Sequence, residues 1–421
     1  MITTIKNDIF LKHYAIFFSG SMMVALLNYA FHPILARLMD PASFGDIQAL
    51  ISLIAVFGAL LGAFSVVAVN ITANLKNTHE LNAVIAELQR LSLVLVGIGI
   101  VALLAGAFEL KKFLNFSSIY PLIGLGIILP VSAINTFRNA YLQGSGRFTE
   151  LSTGGIISSA TKLILATALV YIGLGSIGAT IGIIMAGVAS YYYLVWRTRG
   201  YLDLNQHANI HALEKGRVRK EVIYGVLVLF ATSLVTLFFT IDILVVKHFF
   251  SAYEAGLYSG ISAIAKILYF AIGPVAGVLL SSIKIRNTRK ENSRTLIKAL
   301  ALSLSVGGIG ILTFYIFNDL IISIMIGQKY LPFAYLLPKA GLVMLLAAIT
   351  NVLVFYFLAL RRFFLIVVSC GGIILTGLLL TIDKEGSIES ILNNILISLT
   401  VVISVLLYTY AKDHFNSHSG I

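Results

Sequence analysis

The stretch Thr240–Lys266, TIDILVVKHFFSAYEAGLYSGISAIAK, decides the architecture. It reads as the end of one apolar helix, a tight turn at Ser251–Gly256, and the start of a second helix. Two ionisable residues, Asp242 and Lys266, stand inside this apolar sequence. Half a chain earlier Ala36–Ile54, ARLMDPASFGDIQALISLI, follows the same pattern. Placing Gly45 on Gly256 (256 − 45 = 211) aligns the two without a gap. A second pair follows in order: Tyr141–Phe148 is YLQGSGRF, and Tyr356–Phe363 is YFLALRRF (356 − 141 = 215). Two matches at nearly one offset imply a duplicated half-chain, a common build for secondary transporters.

The rest of the chain agrees with a membrane setting. Of its 421 residues 58% are hydrophobic and 11% charged, and the mean hydropathy is +0.95. That is too much apolar surface for a soluble core. The expected fold class is an all-α polytopic membrane protein with twelve spans, at 14–37, 47–73, 90–109, 119–143, 151–173, 176–196, 222–248, 257–283, 295–318, 334–360, 362–382 and 388–411. Each is about long enough to cross ~30 Å of hydrocarbon. They divide into an N-terminal six-helix lobe (1–196), a basic linker (197–221) and a C-terminal six-helix lobe (222–421). The first apolar run, from Tyr14, is long enough to remain a span and has no signal-peptide cleavage pattern.

The net charge of +12 does not call for nucleic acid. With the N-terminus inside, 21 of the 30 lysines and arginines fall on the cytoplasmic side and 7 on the other, with Lys162 and Lys266 within spans. The positive-inside rule then places both termini in the cytoplasm. The linker suits a stretch held near anionic headgroups of membrane lipids. His207 and His211 within it lack further ligands, and the lone Cys370 pairs with nothing, so neither a metal nor a cofactor is expected.

Several spans carry polar faces at helical spacing. The first has Ser21, Asn28 and His32, followed by Pro33. The second has Gln48, Ser52 and Ser65, and the fourth Ser132, Asn135 and Asn139. The fifth has Ser158 and Lys162, and the eighth Ser259, Ser262, Lys266 and Tyr269. Small residues alone serve helix packing. The added Asn28, His32, Gln48, Asn135 and Asn139 favour a wet cavity.

Ionisable residues in hydrocarbon cost about 2.5–3.5 kcal/mol even on lenient scales and mark function by default. Lys162 and Lys266 are therefore candidate substrate-binding cations, with a structural ion pair as the alternative. Ser262 and the five polar residues above are candidate cavity residues. Asp242 is a candidate coupling residue; the alternative is a partner for Lys247. Two buried cations against one acid suit an anionic substrate, phosphate above all. Arg37 and Arg138 read as interfacial anchors, while Asp40 and Asp46 fall in a loop.

These segments resemble the polysaccharide-export branch of the multidrug/oligosaccharidyl-lipid/polysaccharide (MOP) flippase superfamily, the Wzx-like O-antigen or capsule flippases. The resemblance is carried by ARLMDPASFGDIQALISLIAVFGALLGA, by YLQGSGRFTEL and KLILATALVYIGLGSIGA, and by DILVVKHFFSAYEAGLYSGISAIAK. It implies two six-helix lobes around a central cavity in a bacterial inner membrane. It implies a non-enzymatic flippase that moves undecaprenyl-pyrophosphate-linked oligosaccharide by alternating access. It also implies drive by H+ or Na+ and work beside other polysaccharide-assembly proteins. On this likeness Lys266 and Lys162 meet the anionic substrate, and Asp242, the only buried acid expected, senses the ion. An ion-coupled multidrug or cation extruder of the same superfamily is the alternative; that branch usually carries an acid in its first lobe.

Overall fold

The computed structural model describes residues 9–75, 77–202, 215–283, 288–382 and 386–415. The linker positions 203–214, with His207 and His211, lie outside them. All regular structure among the described residues is helical. Twelve long helices are α1 (Ile9–Leu38), α2 (Pro41–Asn74), α3 (Thr78–Ala105), α5 (Tyr120–Gly144), α6 (Phe148–Leu169), α7 (Gly175–Thr198), α8 (Lys215–Phe249), α9 (Ala252–Ser282), α10 (Arg289–Ile316), α12 (Leu337–Ala359), α13 (Phe364–Ile382) and α14 (Ile388–Phe415). Two short ones, α4 (Ala107–Phe113) and α11 (Asn318–Met325), lie between spans. Among the described residues ten helical stretches are long and apolar enough to cross a bilayer; one of them, Phe148–Thr198, holds both α6 and α7. The chain is a multi-pass membrane protein.

The chain forms two compact units, Met1–Gly225 and Val226–Ile421. Within unit 1, α5 packs against α2, α3, α6 and α7. Within unit 2, α12 packs against α9, α10, α13 and α14. The fourth helix of each unit thus touches the second, third, fifth and sixth. In unit 2 that helix is buried along most of its length, from Leu337 to Leu358. Lipid-facing helices do the opposite: α3 exposes Ile98 and Val101, and α10 exposes Ile309 and Leu312.

Helix boundaries carry the repeat in detail. α1 ends at Leu38 and α8 at Phe249, 211 apart; α2 begins at Pro41 and α9 at Ala252, also 211 apart. The caps correspond too. Asp40 accepts from the Ser43 amide at 2.9 Å. Ser251 and Glu254 cap each other's amides reciprocally, which satisfies N–H groups that a helix start leaves bare. These caps start α9 five residues earlier than the sequence reading, which left Ser251–Gly256 as a turn. The S-x-x-E signal at Ser251 was there to be read.

The second pair repeats as faithfully. α5 ends at Gly144 and α12 at Ala359, 215 apart. Arg147 N–H donates to Leu142 O at 2.8 Å, and Arg362 N–H to Phe357 O at 3.0 Å. The residue before each donor is left-handed, Gly146 at φ 72° and Arg361 at φ 52°. This is the usual closure of a helix end, and glycine is its natural occupant.

Other boundaries moved for local reasons. α3 begins twelve residues before position 90 because Asn77 caps it, accepting from the His79 amide. The segment between the expected spans 295–318 and 334–360 is mostly helical: α11 is followed by a tight helical turn, Gln328–Leu336, that buries Tyr330 fully. Asp40 and Asp46 are not loop residues in the sense expected. Asp40 is the cap, and Asp46 lies inside α2, fully buried. Left-handed Gly173 and Gly175 (φ 93° and 48°) split the long apolar run into α6 and α7. The two helices then pack closely: a side chain at Gly182 would sit 2.6 Å from the Ala166 amide.

Candidate functional site

In unit 1, α6 carries Lys162 toward a cavity of about 490 Å³ whose walls come from α1, α2, α5, α6 and α7. The ammonium donates to Asn28 Oδ1 at 2.5 Å. Asn28 in turn donates to Ser159 Oγ at 2.9 Å and to Val24 O at 3.0 Å. Its amide is thereby fixed with the oxygen toward the lysine. The Lys162 Nζ also lies 4.6 Å from the centre of the Phe31 ring, a face that attracts a cation. The lysine's contacts are thus an amide oxygen and a ring, both neutral.

Six residues singled out from sequence meet on this cavity: Lys162, Asn28, Ser132, Asn135, Asn139 and Ser158. Asn135 donates to Gly187 O at 2.9 Å, while its Oδ1 is buried without a partner. Thr136 and Ser190 extend the polar lining, and no acid belongs to it. Ser159, Thr136 and Ser190 went unremarked in the sequence. Thr136 continues the Ser132 and Asn135 stripe, but nothing marked Ser190 as its neighbour. His32 and Gln48 do not line this cavity. They pair with each other, Gln48 Nε2 to His32 Nδ1 at 2.8 Å.

Unit 2 holds a different constellation. Asp242, on α8, is fully buried. Its Oδ2 accepts from Tyr258 at 2.9 Å and from Ser262 at 2.5 Å, both on α9. Its Oδ1 is buried with no hydrogen-bond partner. Lys266 lies one turn beyond Ser262, fourteen residues into the 31-residue α9 and so halfway along it. It is buried, it lies over Phe239 at 4.6 Å, and the charge of Asp242 acts on it. Asp242 is thus held by Tyr258 and Ser262 and lies in the field of Lys266. Tyr258 was missed, although it extends the stripe 258, 262, 266 at i, i+4 spacing.

The expected tally of buried charges needs correction. Lys247 is fully buried, as is Asp46, whose carboxylate accepts from the Ser117 amide at 3.1 Å. Asp242 is thus not the only buried acid. Sequence hydropathy saw both residues near span ends and could not see the neighbours that cover them.

The comparisons with known proteins agree with this architecture. A family described as "Polysaccharide biosynthesis protein" matches residues 10–280, more than half of the chain. No curated protein sequence matches it. Among solved structures it is similar to an inward-facing multidrug resistance MATE family transporter of the MOP superfamily, at a TM-score of 0.71 and 13% identity over 97% of this chain and 99% of that one. It is equally similar to the lipid II flippase MurJ in an inward closed conformation, at 0.71 and 16% identity over 93% of this chain and 87% of that one. The MATE multidrug transporter DinF-BH gives 0.65 and 14% over 94% and 93%. At such identities the structures speak for a shared fold. With helices, repeat and family match on the page, the chain belongs to the polysaccharide biosynthesis protein family.

Proposed function

We propose that this protein is a flippase that moves a lipid-linked oligosaccharide with a phosphate-bearing head, of the undecaprenyl-pyrophosphate kind, across the bacterial inner membrane by alternating access. The observation that carries the reading is the unit 1 cavity: one lysine, several amides and hydroxyls, and no acid. Amides and hydroxyls suit sugars, and an ammonium held only by neutral partners keeps its charge for a phosphate oxyanion. Lys266 is the second cation of the proposal. Asp242, with one carboxylate oxygen free of hydrogen bonds, is its ion-sensing group for H+ or Na+. The termini are cytoplasmic in this reading, and polysaccharide-assembly proteins are its partners.

A multidrug or cation extruder is the second reading. The MATE-like fold and the buried Asp242 favour it; the acid-free cavity of unit 1 does not. The test is Lys162→Ala in a strain whose surface polysaccharide depends on this protein. Export should fall roughly tenfold or more, the scale of one charge-assisted contact, at unchanged membrane level. Normal surface polysaccharide in that variant, or drug accumulation in a pump-deficient host answering to the wild-type protein, sinks the proposal.

A further inference from the structure

A second cationic cluster lies at the end of unit 1 where α5 meets α6 and α7 stops. Glu150 Oε1 accepts from Arg147 Nη2 at 2.8 Å and from Arg197 Nη2 at 3.2 Å. Arg138 donates to Thr198 Oγ1, next to Arg197, at 2.5 Å. Arg147 and Arg197 thus share one carboxylate, and Arg138 joins the same helix end through Thr198; the three arginines and Glu150 sum to +2 (3 − 1).

Their donor capacity exceeds what the protein supplies. Arg138 Nε, Arg147 Nη1 and Arg197 Nε are buried and have no hydrogen-bond partner. A bare buried donor costs about 1–3 kcal/mol, so the cluster gains from an added acceptor. Arg147 and Arg197 keep 25% and 36% of their side-chain surface exposed, enough to be reached.

The surroundings say what kind of molecule brings the acceptor. Arg147 stacks on Tyr201 at 4.4 Å and Arg197 on Trp196 at 5.2 Å. Both rings are more than half exposed, as is Tyr192. Amphipathic rings at a helix end belong at the headgroup level of a bilayer. A guanidinium cluster at that depth meets lipid phosphates, and its forks match phosphate oxygens.

The cluster also adjoins the cavity. Asn139 and Leu151 line it and are the chain neighbours of Arg138 and Glu150. Leu151 and Lys162 are eleven residues apart on α6, about 17 Å.

We propose that Arg138, Arg147 and Arg197 form a binding site for the phosphate of a lipid at the mouth of the unit 1 cavity. As a waiting position for a transported lipid it rests on the function proposed above, but its test needs no transport. Trp196 is the single tryptophan of the chain, so its fluorescence reports on this cluster alone.

Purified full-length protein in detergent is titrated with farnesyl pyrophosphate, with farnesol, inorganic pyrophosphate and phosphatidylglycerol in parallel. Farnesyl pyrophosphate should give a saturable change that farnesol does not. Arg147→Gln should weaken it about tenfold, the loss of one charge-assisted contact. Glu150→Gln, which removes the competing carboxylate, should tighten it; a merely structural cluster would only lose stability. An equal response to phosphatidylglycerol supports the site with ordinary phospholipid as its occupant, and an equal response to inorganic pyrophosphate supports it with free phosphate. No saturable response to any phosphate, a matching response to farnesol, or unaltered affinity in both variants overturns the site. Lys162→Ala losing export while phosphate binding persists would leave this site standing apart from the transport proposal, and the reverse result would separate them the other way.

Discussion

At an offset of 211, Asp242, Tyr258, Ser262 and Lys266 of unit 2 fall on Phe31, Ile47, Ile51 and Ala55 of unit 1. The four polar positions have become apolar on the same pair of helices, with the same caps. Unit 1 has its polar pair one residue further on, at His32 and Gln48, with Ser52 a turn later. One residue turns a helical side chain by about 100°, so matched backbones point their polar groups in different directions. The half-buried lysine of unit 1 stands on another helix, α6, and meets an amide oxygen and a ring. The buried lysine of unit 2 stands on α9, near an acid. Duplicated scaffolds have been free to diverge in chemistry while holding their turns, because turns are fixed by backbone hydrogen bonds and chemistry only by side chains.

The largest effect separating the two lysines should come from removing each in turn. Lys266→Met removes the cation nearest along α9 to the Ser262 that holds the fully buried Asp242, and should lower stability. Lys162→Met strips only neutral partners and should cost far less. Thermal unfolding in detergent measures both. Asp242→Asn added to Lys266→Met should restore stability without restoring export, as expected of a charge kept for transport. Equal losses for the two lysines would erase the distinction between them.

A smaller effect tests the likeness of the α5 and α12 ends. Gly146 and Arg361 share a left-handed conformation that costs a side chain about 1–2 kcal/mol. Gly146→Ala should destabilise by about that much, and Arg361→Gly should stabilise. Opposite signs in melting temperature are the expected result; the same sign would mean the two closures are not equivalent.

The smallest effect belongs to the caps. Asp40→Ala and Ser251→Ala should each cost about 1 kcal/mol. The Asp40 contribution should also follow pH. Partial burial pushes its pKa up, but the Ser43 hydroxyl together with the amides of Ser43, Asp40 and Ala42 outweighs that and holds it below the ordinary value. Its stabilisation is therefore present above the carboxylate's unfolded pKa and fades as pH falls through the lower folded one. Ser251→Ala should show no such fading from its own side chain, which does not titrate.

Much of the scaffold was legible in the residues. Both offsets, twelve long helices and the charge-bearing stripes follow from local patterns, which chain neighbours set. The candidate sites were legible only in part. Lys162 and Asn28 are 134 residues apart, and Arg138 and Thr198 are 60 apart. No periodicity reports such a meeting. Arg138 read as an anchor because a long cation at a span end usually is one; its bond to Thr198, the chain neighbour of Arg197, exists only after α5 and α7 have packed. Lys247 and Asp46 show the same limit, since burial near a span end depends on neighbours that hydropathy does not describe.

The close seam between Gly182 and Ala166 carries a consequence for biosynthesis. Two helices this tightly nested, joined by two left-handed glycines, form a hairpin that can enter hydrocarbon as one body. Lys162 rides on that hairpin as it leaves the translocation machinery. Its receiver, Asn28, belongs to a helix made earlier in the chain, so the acceptor is synthesised before the ammonium.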